Sequence, residues 1–320
     1  MVTEPDNHPT SNRMYLVVLF IGILAVSAAS IFIRFAQSEV PSLVIAAGRM
    51  SLATLVMLPF AVFAWKKHKG KIGGKNWLLL ILSGLFLGLH FVTWITSLEY
   101  TSVASSVVLV TTAPLWVALL SPLFLKEKLN RWVLVGLVIS LCGSVIVGIS
   151  SNCTISTSEL SCLELSDLWS GRNFTGNLLA LSGAFLSAGY LMVGRKVRSS
   201  LDLPVYTFIV YGIASIVLIG LVAVTGSKVT GYAPKSYLWI AALALIPQVI
   251  GHTAFNWALK YLSAAYVSIA LLGEPVGTIL LAALLLRELP TALEITGGIL
   301  ILAGIAIATL RVTYKKRPPA

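Results

Sequence analysis

Polar and apolar positions in this chain neither alternate as in strands nor repeat as in amphipathic helices. Long apolar runs follow one another with short polar breaks. A bilayer-crossing helix needs about 20 consecutive apolar residues, and a window of about that length gives five runs in the first half: Met14–Ile33, Ser42–Ala64, Asn76–Ser97, Ser102–Leu125 and Asn130–Ile149. The second half gives Gly176–Val193, Val205–Thr225, Ser236–Ala258, Leu262–Leu286 and Thr291–Leu310. Backbone polar groups cannot go unpaired in lipid, so every run is predicted to be a helix. The expected fold is an all-α integral membrane protein with ten transmembrane helices. The tight connections at Glu99–Thr101 and Lys260–Tyr261 predict helical hairpins.

Composition narrows the class. Of 320 residues, 57% are hydrophobic and 11% charged, with a mean hydropathy of +0.91; a soluble domain carries about 25% charge. No sizeable soluble domain fits beside ten spans. The net charge of +11 would suggest a polyanion partner in a soluble protein. Here it follows from topology, and no nucleic acid is expected. Lysine and arginine collect in cytoplasmic loops. With the N-terminus inside, 17 of the 23 basic residues fall in cytoplasmic segments and five outside, while Arg49 lies within a span. N-in, C-in is therefore expected, with both termini cytoplasmic. The polar start MVTEPDNHPTSN leads into a full span without a small-residue cleavage site, so no cleaved signal peptide is expected.

A repeat underlies the ten runs. A shift of 161 residues lays Leu98–Pro114 over Leu259–Pro275, and the ungapped match, followed to Ile149 and Leu310, pairs Tyr100 with Tyr261, Pro114 with Pro275, Glu127 with Glu288, Gly136 with Gly297 and Gly143 with Gly304. A five-span unit reverses its sidedness at each copy, so the halves should be related by an axis in the membrane plane. Residues 1–149 then form an N-terminal tail and first repeat. Residues 150–320 form an external loop, the second repeat and a basic tail.

These ten spans, the hairpin SLEYTSVASSVVLVTTAPLWVALLSPLFLKEKL and its echo ALKYLSAAYVSIALLGEPVGTILLAALLLREL resemble the EamA-type branch of the drug/metabolite transporter superfamily, which includes bacterial amino-acid and metabolite exporters. The resemblance implies a secondary transporter in the bacterial inner membrane. It also implies a central substrate cavity between the halves, lined mainly by spans 1, 3, 4, 6, 8 and 9. The loop Ser150–Asn173 is longer and more polar than the link that the family implies.

Polar groups inside spans are expensive and are functional candidates by default. Counting rises of 1.5 Å places Glu274 and Arg49 at matching depths, roughly 10–12 Å below the outer face of a ~30 Å core. Glu274 could titrate as the proton-coupling group or face a substrate amine, and Arg49 could bind a carboxylate. The alternative is a structural pair that fixes helix packing. Gln248, His252 and Asn256 recur at i, i+4, i+8 on span 8, and His90 and Trp94 likewise on span 3, so each set should face the bundle interior. Substrate contact and interhelical hydrogen bonding are both open for them. Tyr190 and Tyr211 could stack on a ligand or simply pack. Pro114 and Pro275 should kink spans 4 and 9 and could serve gating.

Cys153 and Cys162 lie in the one outer loop, where an oxidising compartment would join them; Cys142 lies within span 5. Protease, hydrolase and P-loop motifs are missing from the sequence, GKIGGKN lacking the first glycine and the hydroxyl residue of the last. The chain reads as no enzyme and as needing no cofactor, with transport driven by a gradient, a coupling proton or exchange, and with function as a monomer. Export of amino acids or related small metabolites by alternating access is the expectation. An uptake carrier or exchanger for a nucleoside, sugar, organic anion or drug is its alternative, and a channel or lipid-handling protein is the alternative of another class.

Overall fold

The computed structural model describes residues 12–67, 72–101, 103–127, 130–150, 153–155, 160–162, 171–285 and 291–309. The first repeat runs α1 (Asn12–Ser27), α2 (Ala29–Gln37), α3 (Ser42–Lys67), α4 (Gly74–Tyr100), α5 (Val103–Val110), α6 (Ala113–Phe124) and α7 (Arg131–Ser150). The second runs α8 (Gly171–Arg198), α9 (Leu203–Thr225), α10 (Pro234–Leu243), a π-helical stretch Ala244–His252, α11 (Thr253–Ala258), α12 (Ala264–Leu271), α13 (Glu274–Leu285) and α14 (Ala292–Thr309). Among the described residues, seven helical segments are long and apolar enough to cross a bilayer, and three shorter apolar helices accompany them: Ala113–Phe124, Arg131–Val147 and Ile295–Ala308. Large apolar side chains such as Leu55, Phe63, Leu123 and Val224 stand exposed on the perimeter, as a lipid-facing surface requires.

One feature was not expected from the run of the sequence. The connection between the repeats carries a short antiparallel hairpin, β1 (Cys153–Ile155) with β2 (Leu160–Cys162), whose register sets Cys153 opposite Cys162. The side chains of both cysteines, the paired residue Glu288 and the basic tail after Thr309 lie outside the described residues.

Several expected spans are broken rather than continuous. The first is divided at Ala28. Span 4 is interrupted at Thr111–Thr112, and span 9 at Leu272–Gly273. In both, the repeat-equivalent proline, Pro114 or Pro275, is the second residue of the following helix. Proline has no N–H to return to the carbonyl four residues back, here those of Val110 and Leu271. Thr112 helps close the first break, its hydroxyl donating to Leu109 O (2.6 Å).

The halves meet along α7 and α14, where the glycines of the repeat do the packing. A Cβ on Gly136 would stand 2.4 Å from the Gly304 carbonyl, and one on Gly143 would stand 2.6 Å from that of Gly297. Gly136 is the repeat equivalent of Gly297, and Gly143 that of Gly304. The contact is therefore the same surface meeting itself, as a two-fold axis demands. Ser140, equivalent to Ile301, donates its hydroxyl to the Ile301 carbonyl (3.2 Å) at the centre. Small residues let helix backbones approach this closely.

Candidate functional site

The central cavity lies where the broken helices converge. It holds about 60 Å3 of space and is lined from both halves, by Val26, Ala29, Arg49, His90, Trp94, Val110, Thr111, Ala113 and Pro114 of the first and by Ser187, His252, Ser268, Leu271, Leu272 and Glu274 of the second. These positions come from the six spans that the sequence resemblance implied, with span 2 added through Arg49.

Arg49 is wholly buried. Its Nε donates to Gln248 Oε1 (3.0 Å), and its guanidinium carbon lies 4.0 Å from the centre of the Phe91 ring. Those contacts hold the base of the fork. Both terminal nitrogens, Nη1 and Nη2, have no hydrogen-bond partner, and neither do Trp94 Nε1 and Gln248 Nε2. An unsatisfied buried donor costs about 1–3 kcal/mol, and more when charged. The site is thus rich in unspent donors.

Glu274 lines the same cavity at the start of α13. The start of α13 is fixed to the end of α1: the Ser27 hydroxyl donates to the Glu274 carbonyl (3.0 Å), and Thr278 Oγ1 donates to Ser27 O (2.9 Å). Among the described residues the one ion pair within 4.0 Å is Arg195 with Glu127. Arg49 and Glu274 share a cavity without closing on each other.

His90 and Trp94 stack with ring centroids 6.0 Å apart and planes 9° from parallel. His90 Nδ1 is 2.9 Å from the Gly183 carbonyl; a carbonyl only accepts, so Nδ1 carries the proton. His252 meets the Phe91 ring edge-on at 5.3 Å. Phe91 therefore packs against both Arg49 and His252.

The remaining candidates lie away from the cavity wall. Gln248 is buried behind Arg49. Asn256 is spent on a neighbouring network, in which the Tyr190 hydroxyl donates to its Oδ1 (2.8 Å) and accepts from its Nδ2 (2.6 Å). Tyr211 bonds Thr253 Oγ1 (3.1 Å). Beneath them Arg198, also buried, donates from Nε to the Asn256 carbonyl (3.0 Å). The structure thus separates the i, i+4, i+8 stripe of span 8. The π-helical stretch holds one extra residue per hydrogen-bonded turn, which rotates Gln248 relative to His252.

Sequence reading missed the Glu127–Arg195 pair. Arg195 Nε meets Glu127 Oε1 at 2.8 Å, Arg195 Nη1 donates to the Leu259 carbonyl (2.7 Å), and Glu127 Oε2 accepts from Ala264 N (3.3 Å). The contact closes one end of the bundle across the two halves. Its only signal in the sequence was the repeated glutamate. Glu39 acts similarly at the loop before α3, accepting from Ala233 N (3.0 Å) and Ser236 Oγ (2.9 Å) at the start of α10.

Comparison with known proteins bears on this architecture. The EamA-like transporter family matches residues 13–149 and again 174–310, two stretches offset by the same 161 residues. The chain belongs to the EamA-like transporter family. Among its relatives, a protein of Archaeoglobus fulgidus is 25% identical over 92% of this chain and 97% of its own length, and is described as an uncharacterized transporter. YdfC of Bacillus subtilis, described in the same words, is 26% identical over 82% of this chain and 80% of its own. A crystal structure at 17% identity superposes with a TM-score of 0.74 over 94% of this chain and 98% of the other, which shows a shared fold. This member of the EamA-like family is accordingly a multi-pass membrane transporter.

Proposed function

We propose that this transporter is a secondary exporter of amino acids or closely related small zwitterions. It would have ten spans with both termini cytoplasmic, and would work as a monomer by alternating access of its two inverted halves around the central cavity. The observation that carries the reading is the pair of opposite charges, Arg49 and Glu274, that line one cavity from different halves without touching. A carboxylate accepts from both terminal nitrogens of an arginine fork, and Trp94 Nε1 supplies a further unpaired donor. An ammonium group suits Glu274. His90, Trp94 and His252 would meet the side chain of the substrate.

Alternation follows from the ends of the bundle. The Glu127–Arg195 contact ties the segment after α6 to α8, and Glu127 also holds the start of α12 through Ala264 N, so these contacts must part when that end opens between the halves. The α7–α14 seam is symmetric about its centre and can stay closed while either end moves. The breaks before Pro114 and Pro275 provide the local freedom. Glu274 is the one carboxyl group in the cavity lining, beside the imidazoles of His90 and His252, and is the coupling candidate.

Counterflow of labelled substrates into proteoliposomes tests the reading. Amino acids should accumulate and saturate. If a sugar, nucleoside or organic anion accumulates and no amino acid or amine does, the substrate class is wrong while the transporter stands; conductance without saturation overturns both.

A further inference from the structure

A second cavity opens on the lipid-facing side, away from the central one. It is a groove of about 230 Å3 between α4, the end of α6 and α8. On α8 its floor is Phe185, Gly189, Met192 and Lys196, at spacings of four, three and four residues that put them on one helical face. Phe86 of α4 packs onto Gly189, where a Cβ would stand 2.9 Å from its ring. Phe124 walls the other side.

The dimensions suit one leaflet. From Phe185 to Lys196 the helix rises about 16 Å, half of a ~30 Å hydrocarbon core. The groove is apolar along that length and ends at a cation. Lys126 directly follows Leu125, another wall residue, at the same end of the bundle. Neither lysine has an ion-pair or hydrogen-bond partner for its ammonium among the described residues, whereas the neighbouring Arg195 and Arg198 are spent on Glu127 and on backbone carbonyls.

The inverted repeat supplies a comparison within the molecule. The positions equivalent to Val193 and Lys196 are Phe32 and Phe35, and both pack against Trp239 of α10, at 5.6 and 4.8 Å between ring centroids. There the chain fills the equivalent space with its own aromatic rings. At the α4–α6–α8 face it leaves the space open and puts a lysine where the other copy has phenylalanine. A filled groove on one side and an open, cation-tipped one on the other calls for an occupant that is apolar along its length and anionic at one end.

We infer that the α4–α6–α8 groove is a binding site for an anionic glycerophospholipid, with one acyl chain along Phe185–Met192 and the phosphodiester at Lys196 and Lys126. In the orientation proposed above this is a lipid of the cytoplasmic leaflet, where anionic headgroups attract such basic clusters. Binding itself depends on neither that orientation nor the transported substrate.

Native mass spectrometry of the purified full chain in detergent, titrated with phosphatidylglycerol or with phosphatidylcholine of identical chains, tests it. Phosphatidylglycerol should be retained over phosphatidylcholine by roughly fivefold for each contributing lysine. Lys126→Ala combined with Lys196→Ala should abolish that preference. Val193→Trp, which copies the aromatic filling of the other repeat, should weaken retention of both lipids. Melting temperature and monodispersity would show that each variant is folded, and Lys228→Ala, in the α9–α10 connection at the other end of the bundle, serves as a basic-residue control with the preference unchanged. Equal retention of the two lipids by the native protein, or a preference that survives the double lysine variant, overturns the inference.

Discussion

Arg49 and Glu274 line the same cavity from opposite halves of the chain, and no ion pair joins them. Two opposite buried charges left apart are costly unless something else completes them. A guanidinium already anchored by Gln248 and Phe91 cannot swing freely to Glu274, so a bridging ligand is the chemically simpler completion.

Replacing Arg49 by lysine keeps the charge and loses the fork. One charge-assisted hydrogen bond and its geometry disappear, which is worth roughly 10- to 100-fold in apparent affinity. Arg49→Lys should therefore raise the half-saturating substrate concentration in counterflow by that factor. Trp94→Phe, which removes one donor and keeps the ring, should do so more mildly. Unchanged saturation in Arg49→Lys would remove the arginine from the substrate site.

Glu274→Gln deletes the titratable carboxyl and keeps the shape of the side chain. Net transport driven by a pH gradient should stop, while exchange of internal for external substrate continues. The check is uptake into proteoliposomes with and without an imposed gradient; gradient-driven accumulation at the native level in the variant excludes Glu274 as the coupling group.

The Glu39 carboxylate lies in the loop between α2 and α3, and its pKa is held below the ordinary 4.5 first by the Ala233 N–H and then by the Ser236 hydroxyl. A depressed folded-state pKa contributes stability that is fully present above 4.5 and is lost as pH falls through the lower folded value. Glu39→Gln should therefore melt below the native protein at neutral pH. The gap should close in acid, below pH 4.5. Thermal unfolding in detergent across that range measures it.

Much of this was legible in the sequence and some of it could not be. Arg49 and Glu274 stood out as charges inside apolar runs, and the inward faces of His90 and Trp94 followed from counting residues, because α4 is unbroken through that stretch. The same counting failed on span 8. Gln248, His252 and Asn256 share a face only if every turn has 3.6 residues, and the π-helical stretch adds a residue just where Pro247 interrupts the ladder. Asn256 faces Tyr190 because α8 happens to cross there, which no local pattern announces. The partner of Glu127 was hidden for the same reason, since it is set by packing and not by spacing.

The α7–α14 seam should tolerate no side chain. Gly136→Val would drive its branches into the Gly304 backbone, and overpacking of this kind costs about 1–3 kcal/mol or more. Gly298→Ala is the control. Its Cβ would meet nothing nearer than Val276 at 3.8 Å. The first variant should melt lower or fail to accumulate, and the second should match the native protein.

The hairpin register that sets Cys153 opposite Cys162 predicts a disulfide between them. So short a closed loop stabilises by about 2–3 kcal/mol. Protein isolated without reductant should show one reactive thiol on unfolding, that of Cys142. Three would contradict the bond.

The glycine seam also bears on how such a chain could arise. A contact in which a surface meets its own copy does not need the two copies to be fused. A five-helix half able to insert in either direction would find the same partner in another molecule of itself, turned upside down, and would enclose the same space between them. Joining the halves adds no new interface at α7 and α14. What it adds is permission to differ: once each copy has a fixed orientation, Arg49 needs no equivalent in the second half, Glu274 needs none in the first, and a lysine can replace a phenylalanine on one side of the membrane alone.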